Sequence, residues 1–348
     1  MIGLERSVGV APFKIALVGC GIISEFHIRA YQRFPERAQI AICCDLDPVR
    51  AADRAVLAGA QASTSFEQVL ADPTITAIEL CTPHHLHPQA VIAAAQAGKH
   101  ILCQKPLART LAECEQMIQA ARTAGVTLFY AEIMRTMPEV VLAAQAIADG
   151  RIGHMIGIQA TYAHWQGGQY LSTAWRYDPT ITGGGQLLDG GIHFIDMLLQ
   201  LGGPIEAVSC MTQRFRPELG GEDTAVLNLR FAAGHLGSLF SSQAAGVWFP
   251  GASLVAFGTE GILTIGGPHG ALVLHREDLP EKREVLIAER GDVFAAMIAA
   301  YLDTLEGRIA NPAPGEIGYE NLRVVLAAYE SARTKREVVL SEIAPAWG

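Results

Sequence analysis

Residues 183 to 196 read GGGQLLDGGIHFID, which sets Asp189, His193 and Asp196 four and then three places apart among glycines. On a helix these are positions i, i+4 and i+7, so a carboxylate, an imidazole and a second carboxylate share one stripe of the surface. An imidazole suits general acid–base chemistry because its ordinary pKa of about 6.5 lies near working pH. Leu188, Ile192, Ile195 and Leu199 would form the apolar face of the same helix. Glycines 183 to 185 would permit close backbone approach ahead of the first turn. Gly190 and Gly191 would leave room for a ligand, at roughly 1 kcal/mol each in helix propensity. The residues equally read as an N-cap aspartate plus a buried, hydrogen-bonded histidine, with Asp196 in a structural role.

A second set of such residues lies in the first half. Gly19-Cys20-Gly21-Ile22-Ile23-Ser24 carries the first two glycines of a dinucleotide fingerprint, with a serine in place of the third. Gly19 would allow a tight turn and Gly21 would let a pyrophosphate reach the backbone. The N–H groups of the helix opening at Ile22 and Ile23 would attract its charge. Asp45, about 20 residues on, would accept hydrogen bonds from ribose hydroxyls and repel a 2′-phosphate. No arginine follows at once in DLDP, so NAD is expected rather than NADP. Asp45 could instead cap the helix ahead of Pro48, a role Asp47 fills at least as well. Thr82, Pro83, His84, His85 and His87 follow one strand-like run, and Gln104, Lys105 and Pro106 another. Three histidines invite a metal, but no carboxylate or cysteine set accompanies them and His87 precedes Pro88 at a helix start, so no metal site is expected.

These residues need a frame. At 348 residues the chain has the length of two domains, on a prior of roughly 100–200 residues each. Half of it is apolar and 18% is charged, a composition that buries large cores. A net charge of −9 without a basic stripe argues against nucleic acid as a partner. No apolar run reaches the roughly 18 residues that span a bilayer, and MIGLERSVGVAPF lacks the parts of a signal peptide. A cytoplasmic protein without membrane contact is expected, its seven cysteines reading as reduced core thiols.

From Lys14 onward KIALVGC, QIAICCD, AIELCTP, HILCQKP and VTLFYAE are apolar runs of strand length, separated by segments of helical period such as GIISEFHIRAYQRF. Strands apolar throughout are those covered on both faces, so residues 14–134 are predicted to form a doubly wound parallel α/β sheet of the Rossmann type, after an extension at 1–13. Ligands bind beyond the carboxyl ends of such strands, which places Gly19 to Ser24, Asp45, Thr82 to His87 and Gln104 to Pro106 along one rim. After Met134 the rhythm changes, and 135–348 is predicted as a second domain with HMIGIQATYAHW, EAVSCMTQRF and TAVLNLRFAAGHLGSLFSSQ as strands. In the last, Ala225, Leu227, Leu229 and Phe231 alternate with Thr224, Val226, Asn228 and Arg230, as in a hairpin buried on one side. Helical stretches at 292–307 and 319–334 close the chain.

In order, GCGIIS with CDLDP, TPHHLHPQAVIAAAQAGKHILCQKPLA, MRTMPEVVLAAQAIADGRIG, WRYDPTITGGGQLLDGGIHFIDMLLQLGG and LAAYESARTKREVVL resemble the glucose–fructose oxidoreductase, inositol dehydrogenase and MocA family, from about residue 14 to about residue 340. The resemblance implies an NAD(P)-binding domain followed by an α/β domain with a large, mostly antiparallel open sheet. One face of that sheet covers the active site and the other often serves oligomerisation, here a homodimer or homotetramer. Lys105 matches the lysine of the family's Glu-Lys-Pro, which reaches the nicotinamide and the reacting carbon. Gln104 stands in the glutamate's place, and loss of that carboxylate should let the lysine titrate closer to neutrality. Thr82, Pro83, His84 and His87 match a segment at the nicotinamide half of the cofactor, with His84 where asparagine is more usual.

Asp189 and His193 coincide with an Asp-x-x-x-His pair that faces the lysine across the cleft. The implied activity is hydride transfer between a secondary alcohol of a sugar or cyclic polyol and the nicotinamide. Either His193 or Lys105 is the base, and Asp189 holds the substrate hydroxyl or the imidazole. Arg176 is a further substrate-binding candidate, while Arg135, Trp165, Tyr170 and Trp175 are as well explained by packing. Two other activities stay open on the same fold: an NAD-dependent glycosidase acting by oxidation, elimination and re-reduction, and a non-catalytic sugar or nucleotide sensor.

Overall fold

The computed structural model describes residues 12–167, 174–266, 270–288 and 291–345, so nearly all of the extension at 1–13 lies outside the described residues. Six parallel strands, β1 (Phe13–Val18), β2 (Ala38–Cys44), β3 (Gln61–Ser63), β4 (Ala77–Leu80), β5 (His100–Gln104) and β6 (Leu128–Ala131), form the first sheet in the order β3-β2-β1-β4-β5-β6. Helices α1 (Ile22–Tyr31), α2 (Pro48–Ala58), α3 (Phe66–Ala71), α4 (His87–Gln96) and α5 (Leu111–Ala124) connect them. This is the doubly wound α/β sheet expected, with β4 and β6 buried along their whole length. β3 and α3 were not foreseen. Gln-Ala-Ser offers no apolar run, and an edge strand that pairs only with β2 requires none. Strand order reverses between β1, which pairs with both β2 and β4, and that reversal opens a crevice at the carboxyl ends.

The second half adds α6 (Pro138–Ala148), β7 (Met155–Ala163), α7 (Pro179–Thr182) and α8 (Ile192–Gly202). The strands β8 (Ile205–Gln213), β9 (Thr224–Phe231), β10 (Leu236–Ser242), β11 (Ala252–Gly258), β12 (Ile262–Gly266), β13 (Ala271–His275) and β14 (Arg283–Ile287) follow, then α9 (Val293–Leu305), α10 (Gly315–Thr334) and β15 (Val338–Val339). Nine strands form a mixed sheet in the order β14-β13-β12-β11-β7-β10-β9-β8-β15, in which β7 and β10 run parallel and every other pair is antiparallel. In β9 the residues Ala225, Leu227, Leu229 and Phe231 are buried while Asn228 and Arg230 are exposed, which is the period-two pattern read from the sequence.

The last two helices pack back onto the first sheet, α9 against α1 and α10 between β8 and α5. The Tyr130 N–H donates to the Ala313 carbonyl at 2.7 Å and Asn311 Nδ2 donates to the Leu128 carbonyl at 3.0 Å, so the β6 edge is covered. α10 begins at Gly315 rather than at Tyr319. Gly315 and Gly318 weaken the helical signal, yet a Cβ on them would sit 2.8 Å from Ile118 Cγ1 and 2.7 Å from Leu107 Cβ, so packing requires them. No helix among the described residues is long and apolar enough to cross a membrane.

Candidate active site

A cleft of about 380 Å³ opens where the carboxyl ends of β1, β2, β4 and β5 meet β7 and the start of α8, a size typical of small-molecule sites. The first sheet lines it with Gly19, Gly21, Ile22, Ile23, Asp45, Thr82, Pro83, His84, Gln104 and Lys105, and the second half contributes Arg176, Asp189 and His193. His87 alone among the expected site residues stands back from it. Its ring is fully buried, with Nδ1 3.0 Å from the Pro106 carbonyl and Nε2 2.9 Å from that of Thr82, so it braces two rim loops against each other.

The glycine turn has the shape that a dinucleotide needs. Gly19 has φ +93°, and a Cβ there would lie 2.7 Å from the Cys81 carbonyl carbon, so only glycine passes between β1 and β4. Gly21 is the N-cap of α1 and carries no capping side chain, which leaves the first-turn N–H groups open to an anion. Asp45 Oδ2 accepts the Cys20 N–H at 2.7 Å and Oδ1 accepts that of Asp47 at 2.9 Å, so this carboxylate holds the turn while facing the cleft. The cap of α2 is Asp47. Arg50 also lines the cleft and lies 3.4 Å from Asp47, a cation that the DLDP reading passed over. An uncapped turn beside this carboxylate fits the diphosphate and ribose of a nicotinamide dinucleotide.

At the other end Lys105 Nζ donates to Asp189 Oδ1 at 3.0 Å and to the Asp189 carbonyl at 2.5 Å. Arg176, whose guanidinium lies 4.5 Å over the Trp175 ring, donates to Asp189 Oδ2 at 2.9 Å. Gln104 therefore does not leave the lysine without a carboxylate, because Asp189 supplies one from the opposite wall. His193 Nδ1 lies 2.6 Å from Oε1 of Glu132, a residue just past β6 that is fully buried and also accepts the Met134 N–H at 3.1 Å. Burial pushes the Glu132 carboxyl up, but the charge and hydrogen bond of His193, with Met134 N–H and Lys105, outweigh it and hold the group below its ordinary value. A carboxylate at Nδ1 keeps the imidazole proton on that side and leaves Nε2 as the basic nitrogen.

Residues Leu187–Gly191 form a π-helical turn before α8, and this divides the stripe expected from i, i+4, i+7 spacing. Asp189 meets Lys105 and Arg176, and His193 meets Glu132. Asp196 is fully buried, with Arg135 Nε 3.1 Å from each of its oxygens and Asn321 Nδ2 donating at 2.9 Å. The backbone cap of the turn is not Asp189 but Glu222, which accepts the N–H groups of Gly185 at 3.1 Å and Leu187 at 2.9 Å. Gly191 differs from expectation and Gly190 does double duty. A Cβ on Gly190 would lie 2.5 Å from Tyr162 Cε1, and one on Gly191 would lie 2.9 Å from Leu187 Cδ1, so both serve close packing, while Gly190 also lines the cleft.

His84 Nδ1 sits 3.0 Å from the Thr182 carbonyl and its ring meets Trp175 edge-on, with burial dropping its pKa to about 3. Tyr162 and His164, alternate residues of the run TYAHW, also line the cleft, their rings tilted at 49° with centroids 4.7 Å apart. Neither they nor Glu132 were singled out from sequence. Glu132 had a signal, since it ends VTLFYAE on the rim already inferred. Trp165 is half-exposed, with the Arg216 guanidinium 4.1 Å over its ring, and Tyr170 lies outside the described residues.

Residues 13–132 match the family described as "Oxidoreductase family, NAD-binding Rossmann fold", and 140–264 match the "GFO/IDH/MocA C-terminal domain". The chain belongs to the GFO/IDH/MocA oxidoreductase family. Levoglucosan dehydrogenase of Pseudarthrobacter phenanthrenivorans is 30% identical over 313 residues, 80% of this chain and 77% of that protein. The 1,5-anhydro-D-fructose reductase of Ensifer adhaerens is 32% identical over 287 residues, 78% and 81% of the two chains. A solved structure of levoglucosan dehydrogenase in complex with NADH and levoglucosan matches with a TM-score of 0.85 at 26% identity, over 94% of this chain and 99% of that one. This GFO/IDH/MocA member is an NAD(P)-dependent dehydrogenase acting on CH–OH groups.

Proposed function

We propose that this GFO/IDH/MocA dehydrogenase transfers a hydride between a secondary alcohol of a sugar or cyclic polyol and NAD. The observation that carries the reading is the meeting of Lys105 from the first sheet with Asp189 from the second half at 3.0 Å, in a cleft that also holds His193. The names of the two relatives, each a sugar dehydrogenase or reductase, support the substrate class. Gly19, Gly21, Ile22, Ile23 and Asp45 would hold the diphosphate and adenosine ribose. Thr82, Pro83, His84 and Gln104 would flank the nicotinamide end, with His87 fixing their loop. The nicotinamide, when bound, supplies the hydride acceptor.

The chain supplies the proton chemistry. Lys105 donates to two oxygens of Asp189, the behaviour of an ammonium placed to stabilise a developing alkoxide. His193 has its Nδ1 turned to Glu132, so Nε2 takes the hydroxyl proton. Asp189 fixes Lys105 and Arg176 around the substrate. Asp45 favours NAD over NADP by repelling a 2′-phosphate. The outer face of the nine-stranded sheet carries Met211, Val226 and Phe240 in one register-linked row, with Val255, Val273 and Val285 in another, and serves here as a homo-oligomer interface.

The test mixes purified protein with NAD or NADP and a panel of polyols and anhydro-sugars, following absorbance of the reduced cofactor. Lys105→Ala and His193→Ala should each lower turnover by about 100-fold or more with cofactor affinity little changed. Silence with every alcohol, together with cleavage of a chromogenic glycoside, would overturn the dehydrogenase reading in favour of oxidative glycoside cleavage.

A further inference from the structure

Glu79 lies within β4 with its carboxylate fully buried, where an unpaired charge would be strongly destabilising. Its Oε2 accepts the Tyr31 hydroxyl at 2.7 Å, and its Oε1 lies 2.6 Å from Nδ1 of the equally buried His27 on α1. The carboxylate sets its negative charge against the Nδ1 side of the ring, which favours the proton there and leaves Nε2 to accept. Gln104 Nε2 lies 2.6 Å from that nitrogen and donates to it, and Gln104 Oε1 accepts the Lys105 N–H at 3.3 Å. Phe294 of α9, part of the cleft lining, closes the His27 ring edge-on at 5.3 Å. Cys81 stands with His27 and Glu79 so that one ligand atom from each lies within 4.8 Å of the others. The 2.6 Å between imidazole and carboxylate is nevertheless an ion-pair contact, too short for two metal ligands, since two ligands with tetrahedral metal bonds of about 2.0–2.1 Å stand about 3.3 Å apart.

We propose that the Tyr31–Glu79–His27 chain makes Gln104 a positioning residue for Lys105. The chain dictates which end of the Gln104 amide meets His27 and which end holds the Lys105 backbone, and so sets where the ammonium meets Asp189. This rests on the reading of Lys105 as part of the reacting centre. His27 then accommodates one carboxylate beside it and not two. The other polar groups around the Glu79 carboxylate, Tyr31 of α1, Cys81 beyond β4, Cys103 of β5 and Tyr301 of α9, are all kept neutral by burial.

Gln104→Glu places a second carboxylate against His27, which is then protonated on both nitrogens at low pH and loses one proton as pH rises. The expected result is near-normal kcat at acid pH that falls about tenfold or more through a new ionisation, with KM for the alcohol and NADH affinity by fluorescence titration moving less than about threefold. The double variant Glu79→Gln/Gln104→Glu restores a single carboxylate, so the new ionisation vanishes and kcat recovers. A Gln104→Glu profile identical to wild type, or a double variant as impaired as the single, overturns the proposal. Should Gln104→Glu fail to fold, Gln104→Met carries the test: kcat falls with KM held, and an unchanged kcat overturns the proposal. Wild-type turnover in Lys105→Ala would instead sink the reading of Lys105 itself.

Discussion

Asp189 and Glu132 divide the polar work of the cleft between them. One carboxylate holds the lysine and Arg176, and the other holds the imidazole, so Lys105 and His193, the groups proposed to handle the proton, each have a fixed partner. Glu132→Gln removes the charge that keeps the proton on His193 Nδ1, and steady-state kinetics should show kcat lowered about tenfold or more with KM little changed. His84 makes a pH prediction of definite sign. Its folded pKa of about 3 lies below the ordinary 6.5, so the unfolded chain binds the proton more readily. The contribution of neutral His84 is complete above 6.5 and declines as pH falls from there toward 3. Urea unfolding across that range should give a shallower pH dependence for His84→Asn than for wild type, and parallel curves would contradict the assignment.

Among the elements, the π-helical turn at Leu187–Gly191 decides how α8 presents its side chains. Glu222 caps it from a distant loop, and Tyr329 of α10 donates to the same carboxylate at 2.9 Å. The glycines let this turn lie directly on β7 and β10. Gly190→Ala would press a methyl group on Tyr162 and Gln186, at a cost of about 1–3 kcal/mol for overpacking. Activity at a temperature well below melting should fall as well, because the turn carries Asp189. Wild-type melting and turnover in this variant would show that the turn has slack. The spacing of Asp189 and His193 was legible in sequence, while their separation onto different partners was not, since a π turn leaves no mark in hydrophobic periodicity.

For the whole molecule, the chain's return to its first sheet is the decisive feature. Arg37, ahead of β2, binds Asp303 of α9 at 2.7 Å and Glu306, just past its end, at 2.8 Å, with its side chain 15% exposed. Phe294 of the same helix reaches the cleft. The two sheets should therefore melt together, and differential scanning calorimetry should show a single transition in the wild type. Arg37→Ala should lower that transition by removing charged hydrogen bonds, with a loss of about 1–3 kcal/mol. Two well-separated transitions in the wild type would refute the coupling.

Local chemistry was enough to determine the parallel sheet, the glycine turn with Asp45, and the rim on which Lys105 sits. Strands buried on both faces must be apolar throughout, and a diphosphate-binding turn must lack side chains, so both leave direct traces in residue order. What only the tertiary structure decided is pairing across distance. Glu132 joins His193, Asp189 joins Lys105 and Arg176, Glu222 caps a turn far from it in the chain, and His27 links Glu79 to Gln104. A buried carboxylate is recognised by the partner that neutralises it, and that partner comes from packing separate elements together, which no periodicity along the chain records.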